Sequence, residues 1–323
     1  MKIAFYSAKP YDRLFFNSLP HDFDIQYLES HLTPATAKLA EGTDAVCCFV
    51  NDTLNSETLE ALKTLNIQMV ALRCAGSNNV DIAAAKALGI HVARVPEYSP
   101  YAVAEHTMGL ILALNRHIHR AYNRTRENDY SLHGLMGFDL HGKNVGVIGC
   151  GKIGQALIAI LKGFGCNVFV YDPKLTVDGV THVTLDELWP KCDIVSLHCP
   201  LTPQTHHLIN DQTIAQLPKG AMLINTSRGG LVDTQAVIKH LKSGQLGYVG
   251  IDVYEEEADL FFEDLSDVIV QDDTFARLMT FPNVLVTGHQ AFFTREALKK
   301  IAEVTLANLT AFAQQRFQDM HSV

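Results

Sequence analysis

Three glycines, Gly149-x-Gly151-x-x-Gly154, stand between the apolar run Val145–Ile148 and a helix-like stretch from Gln155 to Gly165. A glycine triplet in that strand-to-helix setting is the fingerprint of a dinucleotide site. Gly149 permits the tight turn, Gly151 lets the backbone approach a pyrophosphate, and Gly154 lets the helix pack closely on the strand. Amides at the helix start, around Lys152 and Ile153, then face the phosphates. A second strand-like run, Asn167–Tyr171, ends in Asp172, 18 residues beyond Gly154, near the roughly 20 expected of a ribose-binding carboxylate. Such a carboxylate accepts bonds from ribose hydroxyls and repels a 2′-phosphate. Asp172 therefore points to NAD rather than NADP, with Lys174 near enough to soften the preference.

A parallel sheet must carry these groups. Lys2–Ser7, Phe23–Leu28, Ala45–Val50, Met69–Cys74 and His91–Val95 read as strands between helix-like stretches, an alternation that predicts a parallel sheet covered by helices. A second series runs through Asn144–Ile148, Val168–Tyr171, Asp193–Leu197, Ala221–Asn225, Tyr248–Val253 and Val284–Thr287. Six strands at this rhythm suggest a doubly wound sheet. Between the two series, Ala102 to about Glu127 keeps a helical period without proline and is the longest helix candidate, placed as a bridge between domains. Arg295 to about Gln315 reads as an amphipathic closing helix, with Leu298, Ile301, Leu309 and Phe312 on one face. The expected fold class is α/β with two domains of doubly wound parallel sheets. Residues 1–99, closed by the segment 290–323, are expected to form one such domain, flavodoxin-like, and residues 100–289 a Rossmann-type NAD-binding domain.

Composition narrows the partners. With 323 residues, 47% of them hydrophobic, the chain has material for two cores. A formal net charge of −9 leaves no basic field for nucleic acid or an anionic membrane. The start, Met1 to Ser7, lacks the pattern of a secretion signal, and no run reaches about 18 apolar residues, so a cytoplasmic location is expected. Seven cysteines, mostly in apolar runs and without C-x-x-C spacing, read as reduced thiols and do not indicate zinc. His117 and His119 lack a third partner at ligand spacing. His206 and His207 are adjacent, a poor arrangement for one ion, so all four are assigned to surface or core and no metal is expected.

Several further segments occur in one order: Arg73-Cys-Ala-Gly-Ser-Asn-Asn-Val-Asp81, Ser196-Leu-His-Cys-Pro-Leu-Thr-Pro203, Asn225-Thr-Ser-Arg-Gly229, Asp252-Val-Tyr-Glu-Glu-Glu257 and Thr287-Gly-His-Gln-Ala-Phe292. With the glycine fingerprint they make nearly the whole chain resemble the D-isomer-specific 2-hydroxyacid dehydrogenases, and within them the fermentative bacterial D-lactate dehydrogenases most closely. The resemblance implies NADH-dependent reduction of a small 2-oxo acid, pyruvate foremost, by a homo-oligomer. It makes the domain of residues 1–99 and 290–323 the substrate (catalytic) domain, Arg228 the substrate arginine, Glu257 the catalytic acid and His289 the proton donor, and it places Cys199, Pro200 and Thr226 along the cofactor.

Hydride transfer explains these residue types. Negative charge develops on the carbonyl oxygen as hydride reaches carbon, and an imidazolium can supply the missing proton. A carboxylate on the other ring nitrogen fixes the tautomer and favours imidazolium. A guanidinium polarises the carbonyl and holds a carboxylate with a planar fork that lysine cannot match. Glu255 and Glu256 compete with Glu257 for the carboxylate role, and Asp252 either meets the nicotinamide carboxamide or orients Arg228.

By the same resemblance, backbone amides of Ala75, Gly76, Ser77 and Asn78 bind the substrate carboxylate, with Ser77 standing where a bulkier apolar residue is expected. Tyr98 and Phe292 are either aromatic walls beside the substrate or core packing. Two other readings stay open: a relative acting on glyoxylate, hydroxypyruvate or larger 2-oxo acids, and an NAD-sensing binding protein resembling a corepressor.

Overall fold

The computed structural model describes all residues except Ala258, Asp259 and Glu263. Two acids of the stretch Glu255 to Asp264, Asp259 and Glu263, thus lie outside the described residues. The chain divides into two compact units, Met1–Ser99 with Phe293–Val323, and Pro100–Phe292.

In the first unit, strands β1 (Lys2–Phe5), β2 (Asp24–Tyr27), β3 (Ala45–Cys48), β4 (Met69–Leu72) and β5 (His91–Ala93) form a parallel sheet ordered β2-β1-β3-β4-β5. This is the flavodoxin-like order. Helices α1 (Pro10–Ser18), α2 (Ser56–Thr64) and α3 (Ile82–Ala87) lie between strands. Asn55 and Asp81 cap the last two by accepting the Thr58 and Ala84 amides. β3 and β4 are buried along their whole length, because a parallel sheet between helices presents neither face to water. One face packs Ile3, Phe5, Met69 and Ala71 against Phe16 of α1 and against Ala302, Leu306 and Leu309 of a helix from the far end of the chain, Arg295–Ala313. The C-terminal tail then covers the edge of β5, with Arg94 N–H on His321 O and Val323 N–H on Val92 O.

The second unit begins with α4 (Pro100–Arg116) and α5 (Ile118–Arg126). A single helix over 102–127 is therefore not what forms. His117 adopts a left-handed backbone, φ 51°, which ends the first helix and starts the second. Asn115 holds the break by exchanging side-chain bonds with the N–H and C=O of Phe138. The expected bridge is instead part of this unit, α4 packing on β11 (Leu246–Ile251) and on α6 (Lys152–Gly163). The closing helix, here α11, is the longest among the described residues.

The remaining strands are β6 (Asn144–Ile148), β7 (Asn167–Tyr171), β8 (Thr181–His182), β9 (Ile194–Leu197), β10 (Ala221–Asn225) and β12 (Val284–Val286). With β11 they form a seven-stranded parallel sheet ordered β12-β11-β10-β9-β6-β7-β8. The expected series held six strands. β8 has two residues, both exposed, so it leaves no apolar run to read. Helices α7 (Leu185–Leu188), α8 (Asp211–Gln216), α9 (Thr234–Ser243) and α10 (Asp273–Met279) complete the layers.

Alternation along β10 sends Leu223 into one core, with Val195, Val237 and Ile251. It sends Met222 and Ile224 into the other, with Leu114, Val147 and Ile158. The chain winds outward in both directions from the β6/β9 junction, and in such sheets ligands sit at the strand C-termini beside that reversal. All seven cysteines are free.

Candidate active site

The glycine loop lies at the reversal. Gly149 follows β6 with φ +100°, a conformation closed to ordinary side chains, and a Cβ there would lie 2.6 Å from the backbone of His198 and Cys199 at the end of β9. A Cβ on Gly154 would strike the carbonyl oxygen of Gly149, so α6 starts hard against the turn. Gly151 differs: nothing lies within 4 Å of where its Cβ would be. That open space lies at the N-cap of α6, where glycine offers no side-chain oxygen to the first-turn amides of Lys152 and Ile153. A helix start of this kind is suited to phosphate.

Asp172 closes the loop from the side. Its carboxylate accepts the N–H of Cys150 at 2.7 Å and those of Lys174 and Leu175 at 2.9 and 3.0 Å. Burial works against its charge, but these three amides and the Lys174 ammonium outweigh it and hold the carboxyl below its ordinary range. Asp172 is an anion that orders the glycine loop. Cys199 is buried and burial pushes its thiol up to about 11, so it is an apolar wall rather than a nucleophile. The Cys199 carbonyl accepts from Ser227 Oγ, and the Pro200 carbonyl from Thr205 Oγ1. The Thr226 hydroxyl pairs with Thr107 of α4 at 2.8 Å.

The acid-rich segment after β11 meets the turn after β12. Glu257 Oε2 accepts the Tyr254 N–H at 2.9 Å, and its Oε1 lies 2.8 Å from His289 Nδ1. Of the three neighbouring acids, it is Glu257 that reaches His289: Glu255 turns to His207, 2.6 Å away, and Glu256 is exposed. His289 is held in the left-handed region, φ 52°, by bonds from its N–H to the carbonyls of Asp252 and Thr287. With Nδ1 on a carboxylate, Nε2 is the nitrogen left for a reacting group. Phe292 is buried and stands edge-on to the imidazole, ring centroids 6.5 Å apart.

Asp252 is fully buried, and its carboxylate accepts the N–H of Gln290 and of Ala291 and the hydroxyl of Thr287. It therefore shapes the turn that carries His289, and none of its bonds goes to Arg228. His106 of α4 joins this cluster with Nε2 3.0 Å from Thr287 Oγ1 and 3.4 Å from Asp252 Oδ1. Arg228 sits on the loop after β10. Its guanidinium bonds the Ser227 carbonyl and pairs with no acid among the described residues. A half-buried guanidinium without a carboxylate partner is suited to bind one.

The remaining expected residues belong to the first unit. Ala75, Gly76, Ser77 and Asn78 form the loop after β4, where the Ala75 carbonyl accepts from Arg94 and the Ser77 carbonyl from Val80 N–H. Tyr98 lies half-buried after β5. Sequence reasoning passed over His106 and His198. The first is 146 residues from Asp252 and lies within a helical pattern, so nothing local marks it. His198 stands inside a quoted motif, its Nε2 2.8 Å from Ser196 Oγ, and burial pushes its imidazole down to about 4.

An open glycine cradle at a helix start, an anionic carboxylate beside it and a carboxylate-bound histidine are the parts that a nicotinamide-dependent oxidoreductase needs. The chain belongs to the D-isomer specific 2-hydroxyacid dehydrogenases, whose NAD binding domain model matches residues 108–291. NAD is accordingly its cofactor. Among its relatives, a 2-hydroxyacid dehydrogenase homolog of Haemophilus influenzae is 54% identical, the match covering 96% of this chain and 95% of that one. The D-lactate dehydrogenase of Escherichia coli is 51% identical over 96% of each chain. A solved structure described as the pyruvate reductase of Chlamydomonas reinhardtii superposes with a TM-score of 0.91 at 43% identity, covering 98% of this chain and 97% of that one. No described helix is long and apolar enough to cross a membrane.

Proposed function

We propose that this dehydrogenase reduces pyruvate to D-lactate. The observation that carries the mechanism is the 2.8 Å contact between Glu257 and His289 Nδ1, which leaves Nε2 to serve the substrate oxygen. Bound NADH supplies the hydride that the carbonyl carbon receives. His289 gives its Nε2 proton to the carbonyl oxygen, and Glu257 stabilises the imidazolium that precedes this transfer. Arg228 holds the substrate carboxylate and polarises the carbonyl. Pyruvate, NADH and one proton thus yield D-lactate and NAD, the return of NAD that fermentation requires.

Asp252 keeps the His289 turn in place, Asp172 takes the ribose hydroxyls, and Gly149, Gly151, Lys152, Ile153, Gly154, Cys199, Pro200 and Thr226 line the cofactor. For the substrate carboxylate we assign the amides of Ala75, Gly76, Ser77 and Asn78, and for its methyl group Tyr98 and Phe292. The names of the relatives support pyruvate over larger 2-oxo acids, a choice that pocket chemistry decides by only about 1–3 kcal/mol per methylene. We place the enzyme in the cytoplasm as a homo-oligomer, which light scattering of the purified protein tests.

The test of the reaction is NADH oxidation with pyruvate, 2-oxobutyrate, phenylpyruvate, glyoxylate and hydroxypyruvate, with the chirality of each product determined. Fastest turnover on pyruvate with D-lactate formed is expected. Faster turnover on another acid reassigns the substrate, and silence on all five overturns the reading in favour of an NAD-sensing role.

A further inference from the structure

Adjacent histidines are ordinarily poor partners for one ion, because consecutive side chains diverge by about 100° around a helix and point to opposite faces of a strand. His206 and His207 escape that rule. They lie in the turn after β9, where His207 takes a left-handed backbone, φ 49°, and the two imidazoles stack with centroids 4.0 Å apart and planes at 25°. The turn is held by main-chain groups: His207 N–H donates to Gly230 O at 2.9 Å, and Asn210 Nδ2 donates to His207 O at 2.9 Å.

Glu255, from the segment after β11, brings Oε1 to 2.6 Å from His207 Nε2. One nitrogen from each ring and a carboxylate oxygen of Glu255 all lie within 4.8 Å of one another. Among the described residues this is the one such group of three histidine, cysteine or acidic side chains.

We propose that His206, His207 and Glu255 form a binding site for a divalent transition metal of the zinc class. Two imidazoles and one carboxylate are a donor set that zinc accepts, with a fourth position left for water. Calcium and magnesium prefer all-oxygen shells and are disfavoured by the two rings. Zinc bonds of about 2.0–2.2 Å separate tetrahedral ligand atoms by roughly 3.3–3.5 Å. The contact between His207 and Glu255 must open, and because an imidazole coordinates in its own plane, the His206 ring must swing out of its stack on His207 to face the same ion. His206 is exposed, so its side chain can make that adjustment and the ion has a path from solvent. The site is separate from the reacting histidine, since both oxygens of Glu257 are already committed to Tyr254 N–H and His289. A bound ion would cross-link the turn after β9 to Glu255, two residues before Glu257.

The full-length protein, stripped with EDTA and dialysed, is titrated with zinc chloride against a chromophoric chelator. The expected result is one zinc per chain in the micromolar range, weakened about tenfold or more in both His206→Ala and Glu255→Gln, with a zinc-dependent rise in melting temperature that the variants lose. Equal melting temperatures of wild type and variants in EDTA establish that both variants fold. Zinc affinity that survives both substitutions, or no binding below about 100 μM, overturns the proposal and leaves His207 and Glu255 as an ordinary ion pair.

Discussion

A methyl group on Gly229 would fall 2.1 Å from the carbonyl of Tyr254, the residue whose N–H donates to Glu257. Gly229 adjoins Arg228, so one close backbone contact sets the arginine loop against the loop of the carboxylate that holds His289. Gly229→Ala must push the two loops apart, and a displacement near 1 Å costs about 10²-fold in rate. We expect kcat/KM for the 2-oxo acid to fall by about that factor while NADH affinity changes little. Wild-type steady-state kinetics in this variant would refute the link.

His289→Ala removes the proposed proton donor. Turnover is expected to fall by about 10²- to 10⁴-fold, with NADH binding measured by fluorescence nearly intact. If turnover stays within a few-fold of wild type, the proton comes from elsewhere.

Asp172 accepts Cys150 N–H from inside the glycine loop, and in the proposed cofactor site it also takes the ribose hydroxyls. Asp172→Ala should therefore raise KM for NADH and narrow its advantage over NADPH by about tenfold, since removing a carboxylate ends its repulsion of a 2′-phosphate. The ratio of kcat/KM for the two cofactors is the measurement. An unchanged ratio with a raised KM would leave Asp172 as a loop brace only.

Burial holds the folded-state pKa of His198 down at about 4, against an ordinary value of 6.5. Between those values the unfolded chain binds a proton that the folded chain does not, so His198 contributes stability above pH 6.5 that is lost as pH falls toward about 4. Asp172, with its carboxyl below the ordinary 3.8, adds a loss only at more acidic pH. The melting temperature of His198→Asn should accordingly fall less steeply than that of wild type between pH 6.5 and 4.5. Parallel curves would show that His198 takes no part in the acid transition.

What the amino-acid order determined by itself was whatever rests on neighbours along the chain. Most of the strands read as apolar runs because parallel strands are buried on both faces, although the edge strand β2 alternates half-buried Ile25 and Tyr27 with exposed Asp24 and Gln26, and the glycine loop with Asp172 is legible because the turn and the following strand are local. Arg228, Glu257 and His289 were expected from motif order alone, since no local pattern separates them from a turn arginine, a surface acid or a core histidine. Tertiary structure decided the rest. β8 exists only by pairing with β7. The left-handed turns at His117 and His207 interrupt patterns that otherwise continue a helix or splay two side chains. The bonds that join His106, Asp252 and Thr287 span up to 181 residues. Hydrophobic periodicity reports which side of an element faces inward, whereas hydrogen-bond partners are chosen by where strand ends meet in space, and only the closed sheet brings those ends together.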